Sequence, residues 1–425
     1  MARCVALGRA PASGREGREP LDAVTWATRG QLGEVLQAAF QVGDDLQHEW
    51  TGLASDALVP WRWSRTASEL AERSVAALQL ASPGAVGGLA RQELRNKFEV
   101  YWLVKGARGK LELPRDSTSL PLTELIPRAY QLGDYQALWV VEGLGYEIAA
   151  AALRADSAPR GLFVAEAVGD LPPNSVPMLH GGLGLACAEH VMQGLSPHSS
   201  TAEVSAAAQR FLDLCRDNSM ERYVDSAIEA FGLYARCFVP ELVPVLERGL
   251  VALDDATLHR YFWHGFGRAI YFLPVHFVPG YGTLWRAVQV AIREAPHEMA
   301  RKNALAGVSF AFTMVNMSHP EILERALCRH GDEILGSTFA DGVVAAVVMR
   351  NEITPRATVL EAFVEHEPRP EARAIWQQVV RLPCRQALGQ NGLDPARNEL
   401  PGVYRALSHG PGLFYFETKD YFFTL

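Results

Sequence analysis

A Gly-x-Gly pattern, preceded by a polar residue and followed by an apolar run, recurs through the middle of the chain and limits its fold more tightly than any other feature. The clearest copy is Tyr261-Phe262-Trp263-His264-Gly265-Phe266-Gly267-Arg268-Ala269-Ile270-Tyr271-Phe272. Earlier copies are Glu142-Gly143-Leu144-Gly145, Gly181-Gly182-Leu183-Gly184 and the weaker Glu229-Ala230-Phe231-Gly232. Later ones are Ala306-Gly307-Val308-Ser309 and Asp341-Gly342-Val343. The second small position falls at 145, 184, 232, 267 and 309, in steps of 39, 48, 35 and 42 residues. A period near 40 residues with apolar segments of helical length predicts stacked helix pairs, an all-α helical-repeat array of solenoid or toroid-like form.

One Gly-x-Gly at a helix start would suggest a phosphate cradle. Here the copies are many, no strand pattern precedes them, and Ile148, Cys187 and Ile270 stand where a dinucleotide fingerprint needs a small residue. Packing explains them better, because two small residues let a neighbouring backbone approach closely. The array is expected over residues 120–350. It follows a mobile tail at 1–20 and a helical extension and connector at 21–119, and precedes a C-terminal helix and docking aromatic tail at 351–425.

The residue before each motif is the informative position. In register these are Glu142, Gly181 with His180 one earlier, Glu229, His264, Ala306 and Asp341. Superposed repeats would bring them to one surface. Two readings follow: helix N-caps favoured by the helix dipole, or acid/base groups lining an apolar cavity. Arg268, between Gly267 and Ala269, needs a carboxylate partner under either. Phe262, Trp263, Tyr271 and Phe272 are the expected cavity wall and substrate-binding residues. A desolvated Glu142 or Glu229 would serve as proton donor, with His264 as its base or its support.

Gly265 to Phe272 is also the most specific element of a wider similarity. Together with Glu142-Gly143 and its alanine-rich continuation, His180 to Ala186, and Gly307 to Phe312, it resembles a protein family of unknown function. That family is found beside enediyne polyketide gene clusters and in other bacterial specialised-metabolite clusters. The similarity covers roughly residues 120–350, and the copy at Glu229 departs most from it. The family has no agreed catalytic residues, so none transfers. The resemblance implies a role in building or handling a polyene or related hydrophobic intermediate, alongside other biosynthetic proteins.

Other chemistry is sparse. Asp44, Asp45 and Glu49 have the DDxxxE spacing of isoprenyl-diphosphate enzymes and could hold Mg²⁺ against a diphosphate. They lack a second metal motif and a basic cluster, and also read as a solvated helix end. No CxxC, HExxH or GxSxG occurs, so neither a local zinc motif nor a nucleophile elbow is present, and no cofactor is predicted outside the Mg²⁺ alternative. The six cysteines are too sparse for a disulfide framework. A net charge of -8 with scattered Lys and Arg argues against nucleic acid. No apolar stretch reaches the roughly 18 residues of a membrane span, and cytoplasmic residence is expected. Three functions are consistent with these residues: acid/base conversion of a hydrophobic intermediate in a helical cavity, a scaffold gripping a partner protein, or a Mg²⁺-dependent prenyl-diphosphate or terpene-cyclising enzyme.

Overall fold

The computed structural model describes residues 85–105, 107–111, 121–273, 283–355 and 358–390. The expected metal triad Asp44, Asp45 and Glu49 and both chain ends lie outside them. Among the described residues the fold is all-α; backbone pairing of strand type is limited to one isolated bridge between Phe163 and Ser219.

The helices of nine residues or more are α1 Ala85–Lys105, α2 Leu122–Tyr130, α3 Asp134–Ala155, α4 Val176–Met192, α5 Thr201–Asn218 and α6 Ala230–Phe238. They continue as α7 Val243–Leu253, α8 Ala256–Tyr271, α9 Thr283–Glu294, α10 Glu298–Asn316, α11 Pro320–Ile334, α12 Phe339–Ile353 and α13 Leu382–Gln390. Local signals set several starts. Ser200 and Glu203 form a reciprocal capping box at α5, and Asp255 accepts from the Leu258 N–H at α8. Prolines open α11 and the turns before α4 and α7.

Every motif-bearing helix is central. α3, α4, α6, α8, α10 and α12 pack in that order, and the glycines form the seams. Gly182 lies against the Glu142 carbonyl, Gly265 against that of Glu229, Gly307 against that of His264 and Gly342 against that of Ala306. The second small position faces the next helix: Gly145 meets Leu179, Gly184 meets Ala227, Gly232 meets Phe262 and Gly267 meets Ala304. A Cβ at any of these glycines would fall inside van der Waals contact with backbone. The residue type is therefore dictated by interhelical distance.

The row bends back on itself. Arg350 of α12 lies 4.9 Å over the Tyr135 ring of α3, and Asn174 Nδ2, just before α4, donates to the Ile353 carbonyl at 3.2 Å. α1 enters the body rather than standing outside it as a connector. Gly143 abuts the Val104 backbone, and Asn96 Nδ2 donates to Asn316 Oδ1 of α10 at 3.0 Å. α5, α7, α9 and α11 form the outer layer. Amphipathic helices such as α9 bury one face, through Leu284, Ala287, Val288 and Ala291. No described helix is long and apolar enough to cross a membrane.

Candidate functional site

A cavity of about 120 Å³ opens between the central helices. Four helices contribute residues at helical spacing: Val100 and Val104 from α1, Trp139, Glu142 and Tyr146 from α3, Arg268 and the C-cap residue Phe272 from α8, and Phe310 and Met314 from α10. Leu185, Tyr234 and Phe238 complete the apolar wall. Glu142 and Arg268 are its charged-type residues.

Glu142 lies in the middle of α3, 6% exposed, so it caps no helix. Its carboxyl makes no hydrogen bond with a described residue. Gly181 of α4 leaves room for it, since a Cβ there would come within 3.2 Å of Oε1. Burial raises Glu142 to about 7; the nearby Arg268 cation opposes the rise and the Glu229 carboxylate adds to it.

Glu229, at the junction of the short helix Val224–Ile228 and α6, takes the opposite state. His264 Nδ1–H donates to its Oε1, and Arg268 Nη1 donates to Oε2 at 2.5 Å. Burial alone would raise its pKa, but the adjacent Arg268 and His264 outweigh burial and hold it at about 2. Glu229 is thus a fixed anion rather than a proton donor. The short step from α6 to α8 at Gly265 is what brings the three groups together. Phe310 shields the cluster, with its ring 5.1 Å from the guanidinium and edge-on to His264 at 5.5 Å. His264 is 1% exposed, and its Nε2 is buried without a hydrogen-bond partner among the described residues. It therefore acts on the cavity through Glu229 and Arg268.

His180 does not belong to this group. Its Nδ1–H donates to the Val176 carbonyl at 2.8 Å and its Nε2 accepts from the Met220 N–H at 3.0 Å, between Phe163 and Tyr223. Burial lowers it to about 4, leaving a neutral imidazole that ties α4 to the turn after α5. Asp341 also stands outside the cavity wall, in the first turn of α12, where burial raises it to about 8.

Of the expected wall aromatics, only Phe272 reaches the cavity. Phe262 and Trp263 pack edge to face at 5.3 Å in the core, and the Trp263 indole N–H donates to Glu247 Oε2 at 2.9 Å. Tyr271 O–H donates to Glu93 Oε1 at 3.0 Å and accepts from Asn316 Nδ2 at 2.8 Å, with the Lys97 ammonium 3.8 Å from its ring centroid. These three, expected in the cavity wall, belong to the core instead because they occupy other faces of α8. His264, Arg268 and Phe272 recur every four residues and share the inner face. The same spacing on α3 and α10 would have identified Tyr146, Phe310 and Met314.

At the cavity's tyrosine side, Tyr146 O–H donates to Glu189 Oε2 at 2.5 Å. Burial, reinforced by the Glu189 charge, raises both Tyr146 and Tyr234 above the ordinary phenol value, so both stay protonated. No protein-family model, curated protein or solved structure matches the chain.

Proposed function

We propose that this protein is a specialised-metabolite biosynthesis protein that binds a hydrophobic polyene- or polyketide-type intermediate in the central cavity and transfers a proton to it from Glu142. The observation carrying this reading is the pairing of two carboxyls in opposite states around Arg268: Glu142, raised to about 7 by burial, and Glu229, held at about 2 by Arg268 and its contact with His264. Environments that push two titratable groups apart separate a proton donor from a fixed charge. In the transfer, the Glu142 O–H bond breaks as a new bond forms between the proton and a carbonyl oxygen or alkene carbon of the ligand. The Glu142 carboxylate left behind faces Arg268, whose position is already set by Glu229, so the new negative charge needs no reorganisation. Solvent restores the proton. Apolar walls favour an uncharged ligand segment. The volume of about 120 Å³ is below the ~150 Å³ that admits benzene, so the cavity takes a short unsaturated segment rather than a whole chain.

Native mass spectrometry of the purified protein, followed by organic extraction, tests the binding. The reading predicts a co-purified apolar molecule that Ala311→Phe, which fills the cavity, excludes. A clean extract with a retained partner protein would replace it with the scaffold reading.

A further inference from the structure

Where outer helix α7 meets the first turns of central helices α8 and α10, and apart from the cavity lining, Glu247 of α7, His259 of α8 and His297 at the start of α10 converge. Their ligand-type atoms all lie within 4.8 Å of one another. His259 Nε2 is 2.8 Å from Glu247 Oε2, and His297 Nε2 is 2.8 Å from Oε1. The two imidazole rings meet edge to face at 5.7 Å. The Trp263 indole N–H binds the same carboxylate at 2.9 Å and fixes its plane. Glu247 and His259 are 14% exposed, whereas His297 is 40% exposed and opens the cluster to solvent.

We propose that Glu247, His259 and His297 form a binding site for a divalent first-row transition ion, Zn²⁺ foremost, with three protein ligands and a solvent-facing fourth position. The donor set suits that class: two imidazole nitrogens and one carboxylate oxygen are borderline ligands favoured by zinc over magnesium or calcium. The spacing suits it as well. Ligands about 2.0–2.2 Å from a tetrahedral ion stand about 3.3 Å apart, so the His–Glu contacts open by about half an ångström to admit one. A single buried ion pair would need one histidine, yet here two present Nε2 to one carboxylate. Trp263 supplies the outer hydrogen bond that orients a ligating carboxylate.

Metal binding also changes a tautomer. His297 Nδ1 now accepts the Ala300 N–H at 3.2 Å as the α10 cap. An ion on Nε2 places the ring proton on Nδ1, so this long cap bond is exchanged for the metal bond. The site joins the consecutive helices α7 and α8 to the turn into α10, which lies 50 residues beyond Glu247.

Calorimetric titration of the chelator-washed full chain with Zn²⁺ tests the site. The expected result is saturable uptake of one equivalent. His297→Asn retains a favoured N-cap residue, so it keeps the wild-type melting curve in chelator while its Zn²⁺ affinity falls by about tenfold or more. His259→Gln combined with His297→Asn abolishes uptake, and Cys328→Ser, which removes an exposed thiol, leaves it unchanged. No saturable uptake by the wild type, or undiminished uptake by the double variant, would overturn the proposal.

Discussion

Gly267 packs directly on the carbonyl of Ala304, with no space between α8 and α10 for a Cβ. Gly267→Ala must push the helices apart and is expected to cost about 1–3 kcal/mol, with Gly267→Val at or above the upper end. Gly389, in α13, has no described residue within 4 Å of where a Cβ would stand. There the same change should stabilise by up to about 1 kcal/mol through helix propensity. Denaturant unfolding of the two variants checks the contrast; equal effects would remove the packing explanation of the motif.

Arg268 and His264 together hold a buried carboxylate by hydrogen bonds, so losing one partner costs more than losing the set. Arg268→Met should destabilise by about 3–5 kcal/mol, because Glu229 is left as a buried, poorly compensated charge. Adding Glu229→Gln to that variant should restore much of the loss. A double-mutant cycle in urea measures the coupling, and additive losses would contradict a shared cluster.

Glu142 gives the protein a pH signature of defined sign. Its pKa in the fold, about 7, lies above the ordinary 4.5. Its stabilising contribution is therefore complete below 4.5 and is lost as pH rises through 7, a change of roughly 3 kcal/mol. Glu142→Gln removes this dependence. The stability of the wild type minus that of the variant should fall steadily from pH 4.5 to 8, and parallel curves would show that Glu142 is solvated. Asp341 acts in the same sense, with a folded value of about 8, which is why the difference between variants is the quantity to follow.

His180 should behave as a structural histidine. Its folded value of about 4, lowered by burial from 6.5, means that its contribution is complete above 6.5 and is lost as pH falls through 4. His180→Ala leaves the Met220 N–H and the Val176 carbonyl without their present partner. The expected cost is about 1–3 kcal/mol. Ligand extracted from the cold-purified variant should match wild type; lost uptake at an unchanged melting temperature would return His180 to the site.

The seams of this fold were legible because only a glycine satisfies a backbone contact that tight. A recurrent Gly-x-Gly on helical segments thus carried both the all-α class and the register that sets Glu229 beside His264. The direction of individual side chains was less legible. Trp263 and Arg268 lie in one helix, and composition favours the tryptophan for an apolar wall, but the four-residue spacing from His264 to Phe272 selects the arginine's face. Capping and lining fit Glu142 equally in the sequence, and the start of α3 at Asp134, two turns earlier, excludes capping. The Glu247, His259 and His297 cluster had no sequence signal, since its members come from three segments with no motif spacing. His180 and His264 look equivalent in the sequence; only the partners of their ring nitrogens separate them.

The most direct measurement is the metabolite profile of the native host carrying chromosomal Glu142→Gln, read beside the melting temperature of the purified variant at pH 7. Gln keeps the shape of the side chain and removes the transferable proton. Proton donation by Glu142 predicts that the hydrophobic product disappears, that its unconverted precursor accumulates, and that the variant melts no earlier than wild type. An unchanged profile from a normally folded variant would contradict it.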